Sequence, residues 1–126
     1  MTKLIIDAAK DKIFLMIISN KNTYNITHEN TKTNYEKLTI LIKDFLFKEK
    51  IDMEKISKIY VNRGPGSFAG IRNSLSIVKA LHLVHKIDYY CFSFKDFDTK
   101  TLIKYENIPD LCTKFKIKKN LINPIY

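Results

Sequence analysis

The chain has 126 residues, a formal charge of +9 and an apolar content of 45% that includes 7 Tyr and 8 Phe, which suits one domain with a real core. No apolar run is long enough to cross a membrane, Met1 to Asp7 lacks a signal-peptide layout, and Cys91 and Cys112 lack CxxC spacing, so a membrane span and a disulfide scaffold are set aside and a cytoplasmic location is expected. The charge is nearly all scattered lysine, and only Lys114-Phe115-Lys116-Ile117-Lys118-Lys119 is dense enough to suggest nucleic acid, where a solvated face is the commoner outcome.

Leu4 to Ala8 reads as a short buried strand and Lys12 to Ser19, almost continuously apolar, as a second. The short turn between them predicts a hairpin. Thr23 to Thr27 alternates polar residues with Tyr24 and Ile26, as a half-exposed third strand does. Thr33-Asn34-Tyr35-Glu36 has the form of a capping box. The helix it opens carries Tyr35, Leu38, Leu41, Ile42, Phe45 and Leu46 on one face. Asp52 to Lys55 predicts a single extra turn, and Lys58 to Val61 a fourth strand. Ser67 is placed to cap a second helix running to about Lys86, and Asp88 to Ser93 reads as a fifth strand. From Phe94 onward the pattern is weaker. Pro109 and Pro124 interrupt it, and Thr101 to Tyr105 fits either a strand or a helix piece.

Strand, strand, strand, helix, strand, helix, strand is an α/β order. It predicts a mixed five-stranded sheet with helices on its faces, the ribonuclease-H-like fold that is also half of an actin-like ATPase (ASKHA) fold. The expected division is an actin-like lobe over residues 1–94 and a short extension over 95–126.

All three glycines and both arginines lie in one stretch, Arg63-Gly64-Pro65-Gly66-Ser67-Phe68-Ala69-Gly70-Ile71-Arg72. Glycine allows positive φ and close backbone approach, and arginine presents a planar fork that lysine lacks. Arg63 and Arg72 would flank a helix N-terminus, a place suited to an anionic group or a partner contact; a tight strand-to-helix turn is the plain alternative, but a turn does not require arginine at both flanks.

Four chemistries compete for this pattern. A two-metal nuclease needs several converging carboxylates. Asp7 is well placed, yet Val61-Asn62-Arg63 puts no acid at the next natural position, and Glu36 is explained by capping. Gly64 to Ala69 formally satisfies GxGxxG/A, but after antiparallel strands and with no acid closing the next strand. An actin-like ATPase needs Asp-x-Gly-Ser/Thr at the first hairpin, where this chain has Asp7-Ala8-Ala9-Lys10. His82 and His85 could pair on a metal, but no carboxylate accompanies them and boundary packing explains both. His28 is isolated. No catalytic residue, metal or cofactor is therefore expected.

The helix surfaces say more. Ile40, Phe47 and Ile51 line up opposite the core face of the first helix. On the second, Ile77, Ala80 and Val84 form a stripe apart from Ile71, Leu75 and Val78, with Asn73 beside it. Two apolar faces on a helix that covers a sheet imply two neighbours. One occupant is a partner protein; the other is the chain's own C-terminal segment folding back.

The long Arg-Gly-Pro-Gly-Ser-Phe-x-Gly-Ile-Arg loop, after a short strand and before a small-residue helix, resembles the TsaB (YeaZ) family, with similarity from Leu4 to about Phe94. Membership implies a non-catalytic relative of actin-like ATPases. It implies pairing with the homologous catalytic subunit TsaD through the two helices and, alongside the ATPase TsaE as a possible further partner, support of threonylcarbamoylation of the adenosine beside the anticodon. It implies that tRNA is reached indirectly, and that a homodimer is open to the chain alone. Three departures remove polar groups: Asp7-Ala8-Ala9 for the family's Asp-Thr-Ser or Asp-Thr-Ala, Asn34 for a common His, and Ala69 for a common Thr. The family commonly carries a second lobe, and the Pro124-Ile125-Tyr126 ending resembles the close of full-length members, so an internal loss of that lobe is expected. A ribonuclease-H-like metal nuclease and a small tRNA-binding module using Lys114 to Lys119 remain the rival readings.

Overall fold

In the computed structural model, which describes residues 1–126, five strands form one sheet in the order β3-β2-β1-β4-β5. The strands are β1 (Thr2–Asp7), β2 (Lys12–Ile18), β3 (Thr23–Glu29), β4 (Ile56–Asn62) and β5 (Asp88–Phe92). β1, β2 and β3 pair antiparallel, while β4 joins β1 and β5 joins β4 in parallel. This is the mixed sheet the element order predicts, and its parallel pairs are linked by helical crossovers, as parallel pairs must be.

Alternation along the strands makes two apolar faces. Leu4, Ile6, Leu15, Ile17, Ile59, Val61, Tyr89 and Cys91 face one way. They meet α1 (Lys32–Glu36), α2 (Leu38–Lys48) and α3 (Phe68–His85), whose inner residues Leu38, Ile42, Phe45, Ile71 and Val78 are buried. Ile5, Met16, Tyr60 and Phe92 face the other way. The C-terminal segment covers them with Phe97, Ile108 and Cys112, the last two on α4 (Ile108–Lys114). Burial pushes both thiols up to about 12, so Cys91 and Cys112 stay protonated and behave as small apolar groups.

Three local expectations are corrected. The first cap is Thr31, whose hydroxyl accepts from the Asn34 N–H at 3.4 Å, so Thr33 lies inside α1 and the Thr33-to-Glu36 box does not form. The helix also breaks at Lys37, where the Lys37 N–H turns back to the Asn34 carbonyl at 3.1 Å and closes α1 before α2 begins. Pro109 does not interrupt structure; it sits in the first turn of α4, where its missing N–H has no intrahelical partner to lose. The second helix matches expectation closely. Ser67 caps α3 by accepting from the Gly70 N–H at 3.2 Å, and Lys86 closes it in a left-handed conformation.

Candidate functional site

The glycine loop is built backward from β4. Asn62, buried at the end of the strand, accepts the Gly64 N–H at 2.9 Å and starts the turn, as Asn side chains do two residues ahead of their own position. Gly64 then takes φ +112°, a region that residues with a Cβ rarely enter. The other two glycines serve close approach. A Cβ on Gly66 would overlap the Ala9 carbonyl, and one on Gly70 the Ala8 carbonyl. The Ser67 N–H donates to the Ala9 carbonyl at 2.8 Å, so the loop is pinned on the first hairpin. Asn30 seals the same hairpin by donating to the Ala8 carbonyl at 2.8 Å and the Lys10 carbonyl at 2.6 Å. The glycine loop and Asn30 thus pack directly against the backbone of the first hairpin.

The two arginines part company. Arg63 makes a two-pronged pair with Asp96, its Nε and NH2 groups at 3.3 and 2.6 Å from the two carboxylate oxygens, and donates to the Asn123 carbonyl at 3.0 Å. Both side chains of the pair are over four-fifths buried. Its fork therefore clips the C-terminal segment to the end of β4, and the Ile125 N–H returns the contact to the Arg63 carbonyl at 2.7 Å. Arg72 is exposed and forms no ion pair. Its guanidinium lies 5.4 Å from the ring of Phe68, which in turn packs on Tyr126 at 4.5 Å. This is the accessible cation of the loop.

Asp7 is fully buried at the end of β1. One carboxylate oxygen accepts the Ala9 N–H at 3.0 Å and the other the Tyr105 hydroxyl at 2.6 Å. Burial, followed by the nearby Asp7 charge, holds the Tyr105 hydroxyl well above its usual range, so it stays a donor. Tyr105 also stacks on Phe14 at 4.1 Å. Tyr105→Phe keeps the stack but leaves a buried carboxylate oxygen without its donor, which costs roughly 1–3 kcal/mol. A thermal melt lowered by several degrees is expected, and an unchanged melt would show that the hydroxyl does not hold the segment.

The histidines divide as well. His82 Nδ1 lies 2.9 Å from the Ile87 carbonyl and its ring meets Tyr89 edge-on, so it packs at the end of α3. His85 lines a groove between α2 and α3 of about 810 Å³, together with Ile42, Leu46, Phe47, Met53, Ile77 and Leu81. Around it Ile40, Phe47, Leu83 and Val84 are 56%, 86%, 62% and 72% exposed, high values for side chains of this size. Ile77 is half-buried and also packs on the core, Ala80 is exposed, and Asn73 is tied to the Tyr35 carbonyl at 3.4 Å. From Phe97 to Ile117 the C-terminal segment packs on the opposite face of the sheet, and its last residue, Tyr126, reaches α3 only at Phe68, so the chain does not cover this stripe itself.

Sequence reasoning missed Asp96, Asn30 and Tyr105. Their partners are 33, 22 and 98 residues away, and nothing local marks them.

A family model described as TsaD: tRNA N6-adenosine threonylcarbamoyltransferase matches residues 17–93. The chain is 30% identical over 90 residues to the tRNA threonylcarbamoyladenosine biosynthesis protein TsaB of Buchnera aphidicola subsp. Schizaphis graminum, a match covering 71% of this chain and 43% of that protein. YeaZ from Pseudomonas aeruginosa shares the fold with a TM-score of 0.68 at 18% identity, over 73% of this chain and 43% of that one. RuvC of T. thermophilus, solved with a Holliday junction substrate, shares it with a TM-score of 0.52 at 8% identity, over 76% of this chain and 66% of that one. The sheet is thus of the ribonuclease-H-like, actin-related type. The chain spans less than half the length of its TsaB and YeaZ relatives. With its glycine loop seated on the first hairpin and these matches across β2 to β5, the chain belongs to the TsaB (YeaZ) family.

Proposed function

We propose that this chain serves tRNA threonylcarbamoyladenosine biosynthesis as a non-catalytic scaffold subunit, one that binds TsaD and holds it in an active form. The observation that carries the reading is the apolar stripe over α2 and α3, which the C-terminal segment leaves bare. A large unpartnered apolar face on a soluble fold marks an interface. The engagement of both Asp7 oxygens and the close packing of the loop on the hairpin backbone support the non-catalytic part. Residues 1–94 act as the actin-like lobe. Residues 95–126 cover the sheet face that would otherwise be open. TsaE joins the assembly in the cytoplasm, and tRNA is modified on TsaD. Without TsaD the same stripe supports a homodimer, since an isologous contact buries one patch twice.

Arg72 is the loop residue best placed to touch the partner, because Arg63 is already taken by Asp96. Co-expression with the organism's TsaD, followed by size exclusion, should give one co-eluting complex. Arg72→Ala should weaken that complex or slow tRNA modification while the melting temperature stays nearly unchanged. Separate elution of the two wild-type chains would overturn the scaffold reading.

A further inference from the structure

We infer that the sheet face opposite the helical groove carries a phosphate-binding surface for RNA, formed by lysines from three separate parts of the chain. Residues 114–119 hold four lysines and no acid, and all four are exposed. Chain order alone makes this a run; the fold makes it a patch. Lys119 bridges to Tyr90 on β5 and lies 3.8 Å from Asp88. Asp88 is the register partner of Lys58 on β4, and Lys58 is the partner of Lys3 on β1. By strand alternation Lys3 and Lys58 project from the same face as Ile5 and Tyr60, the face the C-terminal segment covers. The lysines at 3, 58 and 119 therefore stand at one end of that face, continuous with those at 114, 116 and 118.

Charge balance favours a polyanion. Two acids stand beside these lysines: Asp110, one helical turn before Lys114 and near enough to Tyr60 to act on its hydroxyl, and Asp88, which is occupied by the Asn120 amide at 3.0 Å and by Lys119. Lys3, Lys58, Lys114, Lys116 and Lys118 form no ion pair. The Lys58 ammonium is held over the Tyr90 ring at 5.9 Å, and Tyr60 stacks on the same ring at 5.1 Å. No open aromatic face is left there for a base, so the contacts go to phosphates and carry no sequence preference. The surface lies across the sheet from the α2–α3 groove, so a protein on that groove leaves it free. The inference rests on the proposed role in tRNA modification only for the identity of the RNA.

The test is fluorescence anisotropy of the purified full chain with an unmodified tRNA transcript between 50 and 200 mM KCl. Binding should weaken steeply with salt, because neutralised phosphates release counterions. The triple variant Lys58→Ala, Lys116→Ala, Lys118→Ala should bind at least tenfold more weakly and lower the salt slope by about one unit per lysine removed. A control triple on the helical face, Lys37→Ala, Lys43→Ala, Lys79→Ala, should keep wild-type binding. Absence of binding, an unchanged slope in the first triple, or equal losses in both triples would overturn the inference. Loss of the TsaD complex in the first triple with RNA binding intact would assign the patch to an acidic protein surface instead. The failure of TsaD to co-elute with wild type would leave the anisotropy result standing, so the two readings fail separately.

Discussion

Gly66→Val unfolds the protein or lowers its melting temperature by many degrees. A Cβ on Gly66 would overlap the Ala9 carbonyl oxygen, with the carbonyl carbon only 2.9 Å away and the Ala9 methyl 3.3 Å away. Those atoms are backbone and a first-atom methyl, so no flexible side chain can swing aside. Relief requires the loop to lift off the hairpin. Lifting breaks the Ser67 N–H bond to the Ala9 carbonyl, and it disturbs the Gly70 seat on Ala8 four residues later. Overpacking of this kind costs about 1–3 kcal/mol, and the lost backbone bond adds the desolvation of a buried group, about 1–3 kcal/mol more. A small domain has only about 5–15 kcal/mol to lose. Ser76→Ala on the exposed side of α3 serves as the control and should stay within about 0.5 kcal/mol of wild type. A Gly66→Val chain that melts with wild type would mean that the loop does not need this seat.

The same loop shows how far the sequence could be read. Its composition said that glycine and arginine were required there, and the alternating strands and Ser67 said where it sat. Which backbone came close could not be read, because Ala8 and Ala9 lie about sixty residues earlier and carry no mark of the contact. Arg63 posed the same problem: its carboxylate, Asp96, is on a turn that the weakly patterned C-terminal region gave no reason to expect. Periodicity of 2 and 3.6 residues is a local signal, so β1 to β5 and α3 were legible. The fold of residues 95–126 is set by Phe97, Ile108 and Cys112 meeting Ile5, Met16, Tyr60 and Phe92, contacts that span most of the chain. Pro109 looked like a breaker because a first-turn proline and a terminating proline have the same local sequence signature. The Thr31 cap was missed for a related reason: two threonines two residues apart both offer a hydroxyl, and only Thr33 has a glutamate in box position.

Phe47→Glu and Val84→Glu should each weaken the proposed complex with TsaD by a hundredfold or more while the chain stays folded. The choice of residues follows from burial. Ile77 belongs to the stripe but also packs on the core, so a charge there would confuse binding with folding. Phe47 and Val84 are 86% and 72% exposed, and each is the penultimate residue of its helix. Exposed substitutions of this kind change stability by about 0.5 kcal/mol, and a negative charge in a last helical turn adds about 0.3–1 kcal/mol against the helix dipole. Both variants should therefore melt within a few degrees of wild type. At an apolar interface the same carboxylate loses its water with no cation opposite. An unpaired buried charge costs about 3–5 kcal/mol, which corresponds to roughly two to three and a half decades in Kd. The competing occupant, the C-terminal segment, is already committed to the other face of the sheet, so relief by internal rearrangement is not open to the chain. Size exclusion and titration calorimetry against TsaD read the result. Folded variants that bind TsaD with wild-type affinity would remove α2 and α3 from the interface. A homodimer of the isolated chain should dissociate in the same two variants, because it would use the same stripe.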